Sequence, residues 1–150
     1  AYTALMSAAG IGAFLGAIFM SARAKNGIKK SLFIGSLLLT IGIQISMIFI
    51  GNYYIALLAV GIIGFANLVF MNMGNSIFQL TSEEQYKGRV MSVYAFLNQG
   101  STPIGNFYAG ILMEYTGGLL GFPGCGIMAL FLFTLTYAAN KKRIMEWIRN

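Results

Sequence analysis

Histidine is absent from this sequence, cysteine occurs once, and aspartate and glutamate together number only four. Each shortage removes a class of chemistry. Cys125 alone cannot close a disulfide within the chain, and without histidine there is no Cys/His zinc set and no Ser-His or Cys-His catalytic pair. In its apolar, Gly-rich surroundings Cys125 reads as a packing residue. Charge is scarce as well, at 9% of residues, where a soluble domain carries roughly 25%. With 57% hydrophobic residues and a mean hydropathy of +0.73, the outer surface is expected to face lipid. A net charge of +6 would suit nucleic acid only if the basic residues shared a solvated face. Their placement says otherwise, so the bilayer is the expected partner and nucleic acid is not.

What the chain does have is long apolar runs. Breaks in the pattern mark five of them, at about 3–22, 32–50, 54–80, 90–115 and 121–140, followed by a basic tail at 141–150. About 20 residues of helix cross a ~30 Å hydrocarbon core, whereas a membrane strand needs only ~10, alternating in polarity. No alternation is present, so an all-α membrane protein of five spanning helices is expected. The ten basic residues fall in three places. Arg23, Lys25, Lys29 and Lys30 lie after the first run, Lys87 and Arg89 after the third, and Lys141, Lys142, Arg143 and Arg149 after the fifth. The second and fourth connections have none, so the positive-inside rule puts the first, third and last on the cytoplasmic side of a cell membrane. The C-terminus is then cytoplasmic and the N-terminus extracellular. The opening "AYTALMSAAG" has neither an initiator methionine nor a basic signal region, so at least one further span upstream is expected.

Within the runs, small and polar residues stand out. Gly12 and Gly16 form a G-x-x-x-G, a spacing that lets two helices approach closely in lipid. Asn72, Asn75, Ser76 and Gln79 share one helical face, beside Asn67, and Asn98, Thr102 and Asn106 recur at i, i+4 and i+8. Carboxamides facing hydrocarbon are costly, so these faces look into a bundle or a water-filled cavity. Interhelical hydrogen bonding and the lining of a transport path both satisfy that requirement. Pro103 removes a backbone hydrogen bond and is expected to kink the fourth helix, with Gly100, Gly105 and Gly110 allowing contact and bending. Glu114 lies near the outer end of its run, and Glu83, Glu84 and Glu146 lie at cytoplasmic ends. No carboxylate sits at mid-membrane, where a proton-coupled site ordinarily has one.

The stretch "QLTSEEQYKGRVMSVY … GSTPIGNFYAGILMEYTGG" resembles the major facilitator superfamily, in its multidrug, macrolide and siderophore exporter branch. Lys87-Gly88-Arg89-Val90-Met91-Ser92 matches the "R-G-R-V-M-S" loop after the tenth span, with Lys for the leading Arg. Pro103, Gly105, Gly110 and Glu114 match the pattern of the eleventh. "SARAKNGIKK" is similar to a weak copy of the family's cytoplasmic loop, with Lys29 and Lys30 as its terminal basic pair, Ser21 for its first Gly, Lys25 for its Asp, and Gly27 one place early. The resemblance implies spans eight to twelve of a twelve-span transporter, most of its C-terminal six-helix half, working with the N-terminal half by alternating access. It implies export of an amphipathic organic compound, such as a drug or siderophore, driven by a coupling ion for which the proton is a candidate. No cofactor, metal or enzymatic activity is implied.

A substrate site in such a half would be lined by aromatics, methionine and amides, for which Phe70, Met71, Asn72, Asn75, Tyr94, Asn98 and Thr102 are the candidates. Glu83, Glu84, Lys87, Gly88 and Arg89 would form a cytoplasmic gate or hinge. Thr81 and Glu84 have capping-box spacing, Glu83 can pair with Lys87, and Gly88 can turn the backbone cheaply. The same basic residues serve equally well as topological anchors. A structural or assembly subunit of a membrane complex is the competing reading. It needs only the packing features.

Overall fold

A computed structural model describes residues 2–23, 27, 30–116 and 121–149, with side chains described for 3–23, 27, 30–116 and 121–141. Five helices follow one another: α1 Tyr2–Arg23, α2 Lys30–Ser46, α3 Tyr53–Thr81, α4 Lys87–Thr116 and α5 Gly121–Arg149. A short 3-10 turn, Met47–Phe49, extends α2, and no strand occurs among the described residues. Lys25 and Lys29 of the first loop lie outside the described residues, as do residues 117–120 of the fourth connection and the side chains of the tail beyond Lys141.

Local chemistry sets the ends. Asn52, in an extended conformation, accepts a hydrogen bond from Tyr54 N through its side chain at 3.0 Å and starts α3. Gly27 follows α1 with φ of 69°, a left-handed conformation that glycine adopts without steric cost. At the other end of α3, Thr81 is the last helical residue and not the cap of the next helix, so the Thr81–Glu84 capping box does not form. The chain turns over residues 84–86, where Tyr86 N donates to Glu83 O at 3.0 Å, and Val90 N then donates to Tyr86 O to begin α4. Pro123 fits within the first turn of α5, where helix amides have no intrahelical acceptor.

The helices pack around α3. It lies against α1 most extensively and also against α2 and α4, while α5 bridges α2 and α4. Ala59, Val60, Ala66, Val69 and Met73 of α3 are buried, with Ala8 and Ile41 from its neighbours. Glycine makes the α1–α3 crossing close. A Cβ at Gly12 would collide with Gly61 O, one at Gly64 with Ala9 O, and one at Gly16 would lie 3.0 Å from Phe65 O. The same device recurs at the start of α5, where a Cβ on Gly126 would lie 2.8 Å from Gln44 Cβ of α2. Phe33 of α2 stacks on Phe70 of α3 with ring centroids 4.6 Å apart.

The exterior is apolar. Phe14, Leu58, Phe96, Ile104 and Phe107 are all more than 60% exposed, an arrangement that water does not favour and hydrocarbon does. Thr3–Arg23, Lys30–Phe49, Tyr53–Thr81 and Gly121–Lys141 are long and apolar enough to cross a membrane. The protein is therefore membrane-embedded. The fifth expected span, α4, is not among these four. Its 30 residues give roughly 45 Å of helix, so length is not the obstacle. Lys87, Arg89, Asn98, Gln99, Asn106 and Glu114 lower its apolarity.

The α4 helix keeps its helical backbone through Pro103, which offers no amide hydrogen to Gln99 O. The one non-helical residue within a described helix is Asn140 of α5, at φ −125° and ψ 23°.

Candidate functional site

The amides of α3 and α4 meet across a small cleft. Met71, Asn72, Asn75, Tyr94, Ala95, Asn98 and Gln99 line a cavity of about 270 Å³. Five of the seven residues read as a binding site from the sequence are among them. The helices are bridged there by Tyr94 Oη, which donates to Met71 O at 3.4 Å, and by Asn98 Nδ2, which donates to Met71 Sδ at 3.2 Å. Gly74 admits the Tyr94 ring: a Cβ at residue 74 would lie 3.4 Å from its hydroxyl. Phe78 packs against the same ring, with centroids 5.0 Å apart.

The remaining amide bonds run within single helices. Asn72 Nδ2 donates to Leu68 O at 3.0 Å, and Gln79 Nε2 donates to Asn75 Oδ1. No amide-to-amide bond joins α3 and α4 among the described residues, and sulfur is only a weak acceptor. Asn72 and Asn75 are thus tied to their own helix, while Asn98 is tied across the cleft to Met71.

A second cavity of about 1160 Å³ lies between α1, α3 and α4 and shares Met71 and Asn72 with the first. Its wall is mostly apolar, from Leu5, Met6, Ile63 and Met113, with Asn67 and Asn106 as further polar points. Ala9, Gly10, Ala13, Gly64 and Gly110 keep it wide because they project little or nothing into it. A third space of about 520 Å³, between α1 and α3 at their Arg23 and Leu80 ends, is bounded by Ser21, Arg23, Asn72 and Ser76. Arg23 lies 5.8 Å from the Phe19 ring centroid, and its buried Nε has no hydrogen-bond partner. Asn72 touches all three spaces.

Two candidates lie elsewhere. Phe70 is stacked on Phe33 and lines none of these cavities, because it sits about 200° around the helix from Asn72. Thr102 is exposed one turn beyond Asn98, donating to Asn98 O at 3.1 Å. Asn67 and Asn106 belong to the wall although the sequence reading did not put them in the site; their signal was the same helical spacing of amides.

The charged segment between α3 and α4 is exposed. Glu83 accepts from Gln85 Nε2 at 3.3 Å, and it makes no ion pair with Lys87 among the described residues. Gly88 lies in the first turn of α4 with no positive φ, and open space surrounds the position of a Cβ. The turn precedes it, so turning is not what Gly88 does in this conformation. Gly88→Ala is accordingly expected to leave membrane insertion intact and to keep or raise the melting temperature, by up to about 1 kcal/mol of helix propensity. A lower melting temperature would contradict this account of the segment. Gly100 and Gly105 have nothing within 4 Å of a Cβ, and the same holds for Gly110, so none of the three supports close helix contact here.

Comparison of the chain with protein-family models, with curated proteins and with solved structures gave no match to any of them.

Proposed function

We propose that this chain is the C-terminal part of a secondary active transporter that works by alternating access, with α4 as the fifth spanning helix of a six-helix half. The observation that carries the proposal is the amide-bearing wall formed by Asn72, Asn75 and Asn98 with Met71 and Tyr94, facing open space inside an otherwise apolar bundle. Amides that served only as glue between helices would all bond across the interface; here Asn72 and Asn75 bond along their own helix, and only Asn98 reaches across, to a methionine sulfur. In this reading the amides that lower the apolarity of α4 face the path: Asn98 and Gln99 border the smaller cavity and Asn106 the larger.

The chemistry of the wall suits an amphipathic organic compound. Methionine and aromatic surface adapts to apolar ligands of different shapes, and a few amides orient polar groups without committing to a charge. Export fits the resemblance of the 82–115 region to the exporter branch of the major facilitator superfamily, as does a cytoplasmic position for the basic connections and tail. An N-terminal half is the natural cover for α4, which has no buried residue. The coupling ion, with the proton as a candidate, would then be bound largely by that half, because the carboxylates on the described helices, Glu114 and Glu146, lie near the ends of α4 and α5.

A structural or assembly subunit is favoured by one observation, the exposed Phe96, Ile104 and Phe107 of α4, which any membrane partner could cover. Efflux separates the two. The complete transporter containing this chain, reconstituted in proteoliposomes, is expected to move a lipophilic fluorescent compound against its gradient when an ion gradient is imposed. Absence of flux across a panel of neutral, cationic and anionic amphiphiles would support the structural reading instead.

A further inference from the structure

The proposed transport does not involve the end of the chain, where the only break in a described helix occurs. Lys141 is the first charged residue of α5. Asn140, immediately before, leaves helical geometry, and the backbone then resumes a helix to Arg149. The nine residues after the break, "KKRIMEWIR", carry four basic residues, Lys141, Lys142, Arg143 and Arg149, against one acidic residue, Glu146. Ile144, Trp147 and Ile148 recur at i, i+3 and i+4, which places them on one face of a helix, while Lys142, Glu146 and Arg149 fall on another.

A helix this short is not stable by itself in water, where isolated helices under ~12–15 residues are marginal. Something must hold it, and its position says what. It begins where a spanning segment reaches the membrane surface, and a break there releases it from the direction of the span. Tryptophan prefers that depth, and lysine and arginine beside it are attracted to anionic headgroups.

We propose that residues 141–149 form an interfacial helix that binds anionic phospholipid headgroups through Lys142, Arg143 and Arg149, with the Ile144/Trp147/Ile148 face in the acyl boundary. The break at Asn140 is the corner between span and surface. Because α5 packs on α2 and α4, the lipid contact fixes the inner end of the bundle relative to the membrane plane. The proposal rests on the chain being membrane-embedded and is independent of transport.

Trp147 is the only tryptophan in the chain, so tryptophan emission, excited selectively over tyrosine, reports the tail alone. The purified chain is reconstituted in liposomes of phosphatidylcholine, or of phosphatidylcholine mixed equally with phosphatidylglycerol. Expected in the mixture are a blue-shifted emission and stronger quenching by brominated acyl chains. Both should weaken near 1 M salt, where the screening length falls to about 3 Å, and both should be lost in Lys142→Gln/Arg143→Gln. That variant should still resist alkaline carbonate extraction, which shows that the spans remain inserted. Emission that is identical in the two lipid compositions while the chain stays inserted overturns the proposal alone. A wild-type chain extracted by carbonate overturns it together with the membrane reading.

Discussion

Gly12→Leu is expected to abolish recovery of the folded bundle, and Gly64→Leu to do the same from the facing helix. The added Cβ at residue 12 meets the carbonyl oxygen of Gly61, and at residue 64 that of Ala9. Backbone cannot rotate away as a flexible side chain can, so the helices must separate along their whole crossing. Overpacking a core that can yield typically costs 1–3 kcal/mol. Here the cost exceeds that range, because separation loses the packing of the most extensive contact in the protein. In lipid nothing replaces it: apolar side chains released from the interface meet hydrocarbon of equal affinity, and packing itself drives association. Gly42→Leu is the control. No atom lies within 4 Å of a Cβ at that position, and leucine is the better helix former. Monodisperse elution and thermal melting in detergent read the difference. Equal recovery of Gly12→Leu and Gly42→Leu would mean that α1 and α3 do not cross at these glycines.

The second large effect falls on transport and leaves folding nearly untouched. Asn98 makes its one bond between helices to a methionine sulfur, and Asn72 bonds only within its own helix. Interhelical polar pairs in membranes average about 0.6 kcal/mol, so Asn98→Leu is expected to cost no more than that in stability. A ligand that used the same amide loses much more. Its own polar group is left desolvated and unpaired, at about 1–3 kcal/mol, which corresponds to a roughly 5- to 150-fold loss of affinity. In the complete transporter, Asn72→Leu and Asn98→Leu should therefore insert and melt like wild type while efflux falls about fivefold or more. Wild-type efflux in both would remove these amides from the path.

These effects depend on features that the sequence shows unevenly. Helix positions are legible because long apolar runs without charge have one economical backbone in a membrane. The close crossing is half legible. Gly12 and Gly16 announce a packing face by their spacing, but the facing glycines, Gly61 opposite Gly12 and Gly64 opposite Ala9, are three residues apart in a run already rich in small residues. The amide wall is legible from the spacing of Asn72, Asn75 and Asn98, because residues three and four apart share a face. Phe70 is not, since adjacency in sequence turns a residue by about 100° around the helix, and Phe33 of another helix determines which side it serves. The connection at 82–86 was misread for a similar reason. Thr81 and Glu84 fit a capping box by spacing, yet α3 extends through Thr81 and the cap never forms. The break at Asn140 is the least legible feature, because no proline or glycine stands beside it to announce it.

Solvent access to Asn72 tests the central claim most directly, because this residue borders each of the three spaces described between the helices. With Cys125 replaced by alanine, single cysteines are introduced at residues 72, 75 and 98 and, as lipid-facing references, at 14 and 58. Each variant in membranes is treated with a small, charged, membrane-impermeant thiol reagent. The account expects rapid labelling at 72, 75 and 98, slowed by a transported compound, and almost none at 14 and 58. Labelling at 72 and 98 as slow as at 58 would show that the amides are sealed packing contacts, and the transport path would not lie here.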